Sequence, residues 1–344
     1  MMFVSYFFSV LLCICLFLLS IKYKNNLFKI YSQYNAIQKL HEGYVPPIGG
    51  LIIFLCFYFS IFTFSESFFN NQIHILFGSF FIIIIGLLED FSGKIKPIYR
   101  LLAIFISSLI FVTYQSSLPK IEVPILENIL NNVPFAEEIF YALGLTALSN
   151  GMNMIDGVNG LAGMTALSII VAILSILALY GGIEIYFVEF SFLIIVLVIF
   201  LFFNFPYGKI FLGDSGAYWI GWIIGVWIIE IYSEFPLNTW GAILVIFYPI
   251  YEVVFSFTRK ILSGKSPFLP DTNHLHIKLY FFLKGNTERS IKFNSFVTVC
   301  LMPFWIIPSL MIVWTYFFSH LTIAFILIMM FVYNFYYQTI PNKD

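Results

Sequence analysis

Charge is what this chain has least of. Only 10% of its 344 residues are Asp, Glu, Lys or Arg, against about a quarter in soluble globular proteins. With 60% hydrophobic and 20% aromatic side chains, the composition excludes a soluble globule and reads as an all-α polytopic membrane protein. The net charge of −1 leaves no basic excess, and no Lys/Arg cluster of the kind that tracks a phosphate backbone is present, so nucleic acid is not an expected partner. Cysteine is scarce as well. Cys13, Cys15, Cys56 and Cys300 all lie in apolar runs, where thiols behave as small hydrophobes, and neither a disulfide framework nor a zinc spacing is formed. Pro- or Ser-rich linkers and internal repeats are missing too, so residues 1–344 read as one integral membrane domain. The run from Phe3 to Ser20 has no basic residue before it and no small-x-small site after it, and reads as a retained helix.

What the chain has in abundance is apolar segments long enough to cross a bilayer, about 20 residues with tolerance for tilt. Eleven are expected: Phe3–Ile21, Ile48–Phe64, His74–Leu88, Leu101–Tyr114, Phe135–Ser149, Thr165–Tyr180, Tyr186–Phe203, Ala217–Ile231, Gly241–Phe257, Ser295–Phe318 and Leu321–Tyr337. The fifth is the weakest, since Glu137 and Glu138 sit at its start. Eleven crossings sort the loops into two sets, and all of the 17 Lys and Arg residues except Lys120 fall in one of them. Cations accumulate on the cytoplasmic side, which predicts an external N-terminus and a cytoplasmic C-terminus. Acidic residues without basic company, Glu66, Glu122, Glu127, Glu184 and Glu234, fall on the outer side.

The unusual polar clusters share the cytoplasmic side, and they lie between about residues 45 and 280. Asn150 to Gly163, NGMNMIDGVNGLAG, sets four glycines, three asparagines and Asp156 between two apolar runs, where polar groups are costly unless something polar or ionic meets them. Val45 to Gly50, VPPIGG, opens the second helix, and a free helix N-terminus attracts anions. Glu89 and Asp90 end the third helix as adjacent carboxylates; either a metal or shared proton relieves them, or Lys94 and Lys96 neutralise them. Asp214, in a Gly-Asp-Ser-Gly turn, is either an oxygen ligand suited to Mg²⁺ or an N-cap. His274 and His276 follow Pro270 and Asp271 in the longest cytoplasmic loop, placed for phosphate contact or proton transfer, without the four-residue spacing of a helical zinc pair. Phe211 offers a flat face to a base. Gly221 and Gly225 form a GxxxG pattern that reads as helix packing.

Carboxylates for a divalent cation, glycine-rich turns for phosphates and histidines for more anionic charge, gathered where lipid headgroups meet the cytosol, fit phosphoryl transfer between a nucleotide and a lipid. A transporter with intramembrane carboxylates is the competing class, although transporter sites lie near the midplane and often recur in two symmetric halves.

From Pro46 to about His276 the sequence resembles the polyprenyl-phosphate N-acetylhexosamine-1-phosphate transferases. These membrane enzymes move a sugar 1-phosphate from a UDP-sugar to undecaprenyl phosphate or a related lipid, with release of UMP. The resemblance implies Mg²⁺, or Mn²⁺ in its place, as cofactor. It implies UDP-N-acetylhexosamine and undecaprenyl phosphate as partners, the bacterial plasma membrane as location and a cytoplasmic active site, and leaves monomer and homodimer both open. The family's Asp-Asp pair falls on Glu89 and Asp90, implied to engage the lipid phosphate and the metal region. Its Asn-x-x-Asn-x-x-Asp-Gly motif falls on Asn150, Asn153, Asp156 and Gly157, around the nucleotide and metal. Its Phe-x-Gly-Asp motif falls on Phe211, against uracil, and Asp214, on the metal. Its histidine motif falls on Pro270, Asp271, His274 and His276. Catalytic roles are thereby expected of Glu89, Asp90, Asp156 and His274, substrate contacts of Asn150, Asn153, Asn159, Asn204, Phe211 and His276, and metal ligation of Asp214 and Asp156. The chain departs from the pattern at Glu89, Asn159, Thr272 and Ile277. The last two remove a cation and a histidine, so the sequence is more similar to enzymes that begin surface polysaccharide (lipopolysaccharide or O-antigen) assembly than to the peptidoglycan-precursor branch.

Overall fold

The structure, a computed structural model, describes residues 2–24, 45–64, 72–266, 271–285 and 291–341. Lys29, Lys39, Glu66, Pro270, Arg289 and Lys343, used above, lie outside the described residues. The described chain is all helical: α1 (Met2–Lys22), α2 (Gly49–Phe64), α3 (Ile73–Ser92), α4 (Pro97–Thr113), α5 (Pro124–Asn132), α6 (Ala136–Ile155), α7 (Leu161–Tyr180), α8 (Ile183–Asn204), α9 (Gly213–Glu234), α10 (Thr239–Val245), α11 (Phe247–Leu262), α12 (Leu275–Lys284), α13 (Ile291–Cys300), α14 (Met302–Thr315) and α15 (Ser319–Thr339). Helices are what such a composition must form, because hydrocarbon offers backbone groups no hydrogen-bond partner.

Each of the eleven expected apolar segments is helical, but they are not eleven equal rods. Among the described residues six helical stretches are long and apolar enough to cross a membrane, with α13 and α14 counted together as one, or seven if the bent pair α10–α11 is one span. α1, α2 and α4 contribute shorter apolar helices, and α6 carries Glu137 and Glu138 in its first turn. The expected straight segment Gly241–Phe257 is corrected to a bend of 79° between α10 and α11. Pro249 sits in the first turn of α11, where a residue without an N–H is tolerated, and it suits a fresh helix start better than a helix interior. Ser295–Phe318 likewise divides at Leu301, just ahead of Pro303 in the first turn of α14.

α9 is the hub. It packs on α2, α3 and α6, and nearly all of it is buried, with Trp219 and Trp222 fully enclosed. In lipid the drive for such packing is close contact rather than the exclusion of water. Gly221 and Gly225 provide it: a Cβ on Gly221 would come within 2.8 Å of the Ser149 Cα, and one on Gly225 within 2.6 Å of the Leu145 Cδ2, both on α6. The GxxxG pattern is a packing face, as its spacing predicts. Ser149 Oγ donates to the Tyr218 carbonyl at 2.7 Å and Trp222 Nε1 to Ser108 Oγ at 3.1 Å. These bonds satisfy polar atoms that would otherwise be costly, and they fix α9 against α6 and α4.

Candidate active site

One end of the bundle gathers the C-terminal end of α3, the C-terminal end of α6 and the N-terminal end of α9, and the polar motifs come with them. Asp90 reaches across to α9: its Oδ1 accepts from the Asp214 N–H at 2.8 Å, and its Oδ2 from the Ser215 N–H at 3.1 Å and Ser215 Oγ at 2.8 Å. A helix start leaves four N–H groups without partners and carries partial positive charge, so a carboxylate from α3 serves as the cap that α9 lacks in its own sequence. Asp214 is therefore not the N-cap. It lies within the first turn of α9, and its side chain meets Asn153 Nδ2 at 2.9 Å through Oδ1 and Arg100 Nη1 at 2.5 Å through Oδ2.

Arg100 also approaches Glu89, at 3.5 Å, while the Ile95 N–H donates to the other Glu89 oxygen at 2.9 Å. The cation that meets Glu89 is thus Arg100, not Lys94 or Lys96, the alternative weighed from the sequence. Asp156 follows the last turn of α6. Burial, and then the charges of Asp214 and Asp90, push its carboxyl well above the usual carboxylate range. Asp156 therefore lies within electrostatic reach of Asp90 and Asp214, which are 124 positions apart in the chain.

VPPIGG joins this site through its backbone. Phe211 N–H donates to the Pro46 carbonyl at 3.1 Å, and Gly49 and Gly50 donate to the Phe211 and Leu212 carbonyls at 2.9 and 2.8 Å. The expectation of a free anion-attracting start to α2 is corrected, since these two N–H groups are satisfied within the protein. Phe211 is half-buried.

The asparagines divide into two groups. Asn153 faces Asp214, and Asn150, half-buried, reaches Met154 Sδ at 3.3 Å. Asn159 and Asn204 instead lie in the interior, 1% and 4% exposed. Asn204 takes the Gly160 N–H at 2.6 Å and donates to the Ile210 carbonyl at 2.8 Å. Asn159 donates to the Pro206 carbonyl at 2.9 Å, its backbone N–H goes to Asn294 Oδ1 at 2.6 Å, and Thr298 Oγ1 reaches its carbonyl at 2.7 Å. The structure gives both a loop-holding place.

The histidine loop closes on the same end. His276, 1% exposed, lies against Gly157, where an added Cβ would sit 2.3 Å from its Nε2. Gly157 is glycine because an imidazole occupies the space beside it, and this contact places the histidine next to Asp156. Burial, then the neighbouring His274, pull the His276 ring down to about 3, so it is neutral at ordinary pH. Its Nδ1 is buried with no hydrogen-bond partner among the described residues. His274 stacks on His276 with centroids 5.8 Å apart and bonds through Nδ1 to Glu252 Oε1 at 3.0 Å. Asp271 is ion-paired with Arg259; burial raises its carboxyl, but the Arg259 bond and the Asn273 N–H outweigh it and hold the group below its ordinary value.

Sequence reasoning missed three members of this site. Arg100 was visible only as one cation in a basic loop, and Ser215 as a turn residue. Glu252 left a clearer signal, a carboxylate in the middle of an apolar run, which is expensive without a partner.

The sequence model of glycosyl transferase family 4 matches residues 72–232, the stretch that carries Glu89, Asp90, Asp156 and Asp214. Among similar proteins is one from Bacillus subtilis (strain 168) described as a probable undecaprenyl-phosphate N-acetylglucosaminyl 1-phosphate transferase, 29% identical over 253 residues, covering 71% of this chain and 68% of that relative. Another, from Thermotoga maritima, is described as an undecaprenyl-phosphate alpha-N-acetylglucosaminyl 1-phosphate transferase and is 28% identical over 242 residues, covering 70% of this chain and 69% of the relative.

Proposed function

We propose, from the match of the glycosyl transferase family 4 model to residues 72–232 and the similarity to the two transferases above, that the chain transfers N-acetylhexosamine 1-phosphate, with N-acetylglucosamine the first sugar to test, from a UDP-sugar to undecaprenyl phosphate. The products are the lipid-diphosphate sugar and UMP, and the step opens cell-surface polysaccharide assembly. The carrying observation is the convergence of three helix ends on Asp214, where Asp90 of α3 bonds the backbone at the start of α9 and Asn153 of α6 bonds the Asp214 side chain. In this reading eleven helical segments cross the bacterial plasma membrane, one through the bent pair, and this end of the bundle faces the cytoplasm, the side favoured by the distribution of Lys and Arg.

A hard cation suits this donor set. The carboxylates offer only oxygen, and a cation would relieve the burial and like charge that hold the Asp156 carboxyl above its ordinary range. Among the described residues no three acidic, His or Cys side chains already converge as a metal site; Asp214 and Asp156, on which the family's metal motifs fall, are the residues that would hold Mg²⁺. Bound there, the ion would supply neutralisation of phosphate charge.

An oxygen of the lipid phosphate attacks the β-phosphorus of the donor. The new P–O bond forms as the bond from that phosphorus to the α–β bridging oxygen breaks, and UMP departs with that oxygen. A phosphate monoester has a second pKa near about 6, so its attacking oxygen is largely ionised at neutral pH without a strong base. Asp90, with both oxygens engaged by α9, then serves to set the position of Asp214. Three phosphates must approach a site already rich in carboxylates, so Arg100 from the acid-pair side is placed to hold them, with His274 contributing from the loop.

The test is UMP release from UDP-N-acetylglucosamine by purified protein given undecaprenyl phosphate, with the lipid product read by mass. UMP and lipid-linked sugar in equal amounts support the reading. Absence of both across a panel of UDP-sugars with Mg²⁺ or Mn²⁺ overturns it, and Mg²⁺-independent solute uptake would restore the transporter.

A further inference from the structure

Glu252 lies on α11, twenty residues beyond the stretch matched by the family model, and is 1% exposed. A buried carboxylate is retained only where every oxygen is met, and here each one is. Oε1 takes His274 Nδ1 at 3.0 Å and the Leu275 N–H at 3.2 Å. Oε2 takes the Tyr333 hydroxyl of α15 at 2.5 Å. The two histidine rings lie within 8° of parallel, and the second of them fills the space beside Gly157. α15 contributes again one turn later, where the Tyr337 hydroxyl donates to the Asn273 carbonyl at 3.0 Å.

We propose that Glu252, itself held by Tyr333, is a positioning residue. It keeps the Nδ1–H of His274 directed at its own carboxylate and sets the ring plane, so that Nε2, a proton acceptor in that form, is the nitrogen turned to the phosphate site and the His276 ring is held against the Asp156–Gly157 turn. The inference rests on the transferase reading for what His274 does, and on geometry alone for what Glu252 does to it. The physical reason is a general one: the ring nitrogen a histidine presents is decided by the bond its other nitrogen makes, and outer partners of this kind commonly matter by about 10- to 100-fold. The last helix thereby belongs to the working site, although none of its side chains has to reach substrate.

Two measurements test this. The first needs no activity. The chain has five histidines, so ¹⁵N-histidine labelling of the whole protein, with His274 assigned by its loss in H274Q, reads which nitrogen carries the proton. Wild type is expected to show His274 protonated on Nδ1, E252A to lose that signature, and Y333F to broaden it. A His274 signal unchanged in E252A overturns the proposal whatever the enzyme does. The second is a double-mutant comparison of UMP release per folded protein. E252A and H274A are each expected to lower kcat about 10-fold or more, with the donor KM moved less than about twofold, and E252A/H274A to be no worse than H274A alone. A full further loss in the double variant would show that Glu252 acts other than through His274. Silence of the wild type toward every UDP-sugar would sink the transferase reading and leave the labelling result to stand or fall by itself.

Discussion

The Asp90 carboxylate and the Asp214 backbone N–H are 2.8 Å apart, and this bond ties the end of α3 to the start of α9. It makes one acid the support of another: the helix turn that carries the Asp214 side chain is anchored by the side chain of Asp90. D90A removes an acceptor from two N–H groups and one hydroxyl, and should cost about 1–2 kcal/mol, the usual loss for a capping side chain. D90N, which keeps one acceptor oxygen, should cost less. Thermal unfolding in detergent checks the order; equal stability of D90A and wild type would deny the cap.

Arg100 makes a second prediction by holding Asp214 and Glu89 together. In the proposed reaction D214A loses a metal ligand and should retain no more than about a hundredth of the wild-type rate, the common cost of one electrostatic contact in a transition state. R100K keeps the charge but not the guanidinium whose Nη1 meets both carboxylates. It should raise the KM for the lipid phosphate and leave that for the UDP-sugar nearly unchanged. Initial rates with each substrate varied in turn decide it, and a rise confined to the UDP-sugar KM would move Arg100 to the other phosphate.

The segments most legible in the sequence are those for which the bilayer leaves no choice. An apolar run must be helical, so each of the eleven segments is found as helix, with ends displaced by a few residues. The 79° turn between α10 and α11 is hidden because Pro249 lies inside an unbroken apolar run, where hydropathy gives it no weight. The grouping of the motifs was readable because Lys and Arg mark one side of the chain. Pairings were not. That Asp90 caps α9, that Asn159 and Asn204 hold loops, and that Glu252 meets His274 each depend on which helix faces which, and a single sequence does not contain that choice.

Gly157 yields a third prediction, on packing. G157A would put a methyl carbon 2.3 Å from His276 Nε2. The ring is enclosed and the glycine half-buried, so the strain should appear as overpacking of about 1–3 kcal/mol and as loss of transfer. G157A/H276A empties the space the methyl needs and should recover most of the stability without recovering full activity. The comparison of melting curves is diagnostic: if H276A brings no rescue, the contact does not explain the glycine.

His276 adds a dependence on pH. Its ring is held near about 3 in the folded protein, against an ordinary value of 6.5, so between those values the unfolded chain binds a proton that the folded chain refuses. Stability rises with pH wherever the unfolded state binds more protons. The contribution of His276 is therefore intact above about pH 6.5 and is lost progressively as pH falls toward 3, with a slope of at most about 1.4 kcal/mol per pH unit for the single proton. The sign is opposite to that of a histidine paired with a carboxylate, whose stabilisation is lost as pH rises. H276N cannot take up the proton in either state, so although less stable at pH 7.5 it should lose stability less steeply between pH 6.5 and 4.5. Unfolding free energies at several pH values, for wild type and H276N in the same detergent, give the two slopes. Parallel lines would mean that the ring is protonated in the folded protein and that the enclosed, neutral His276 described here is wrong.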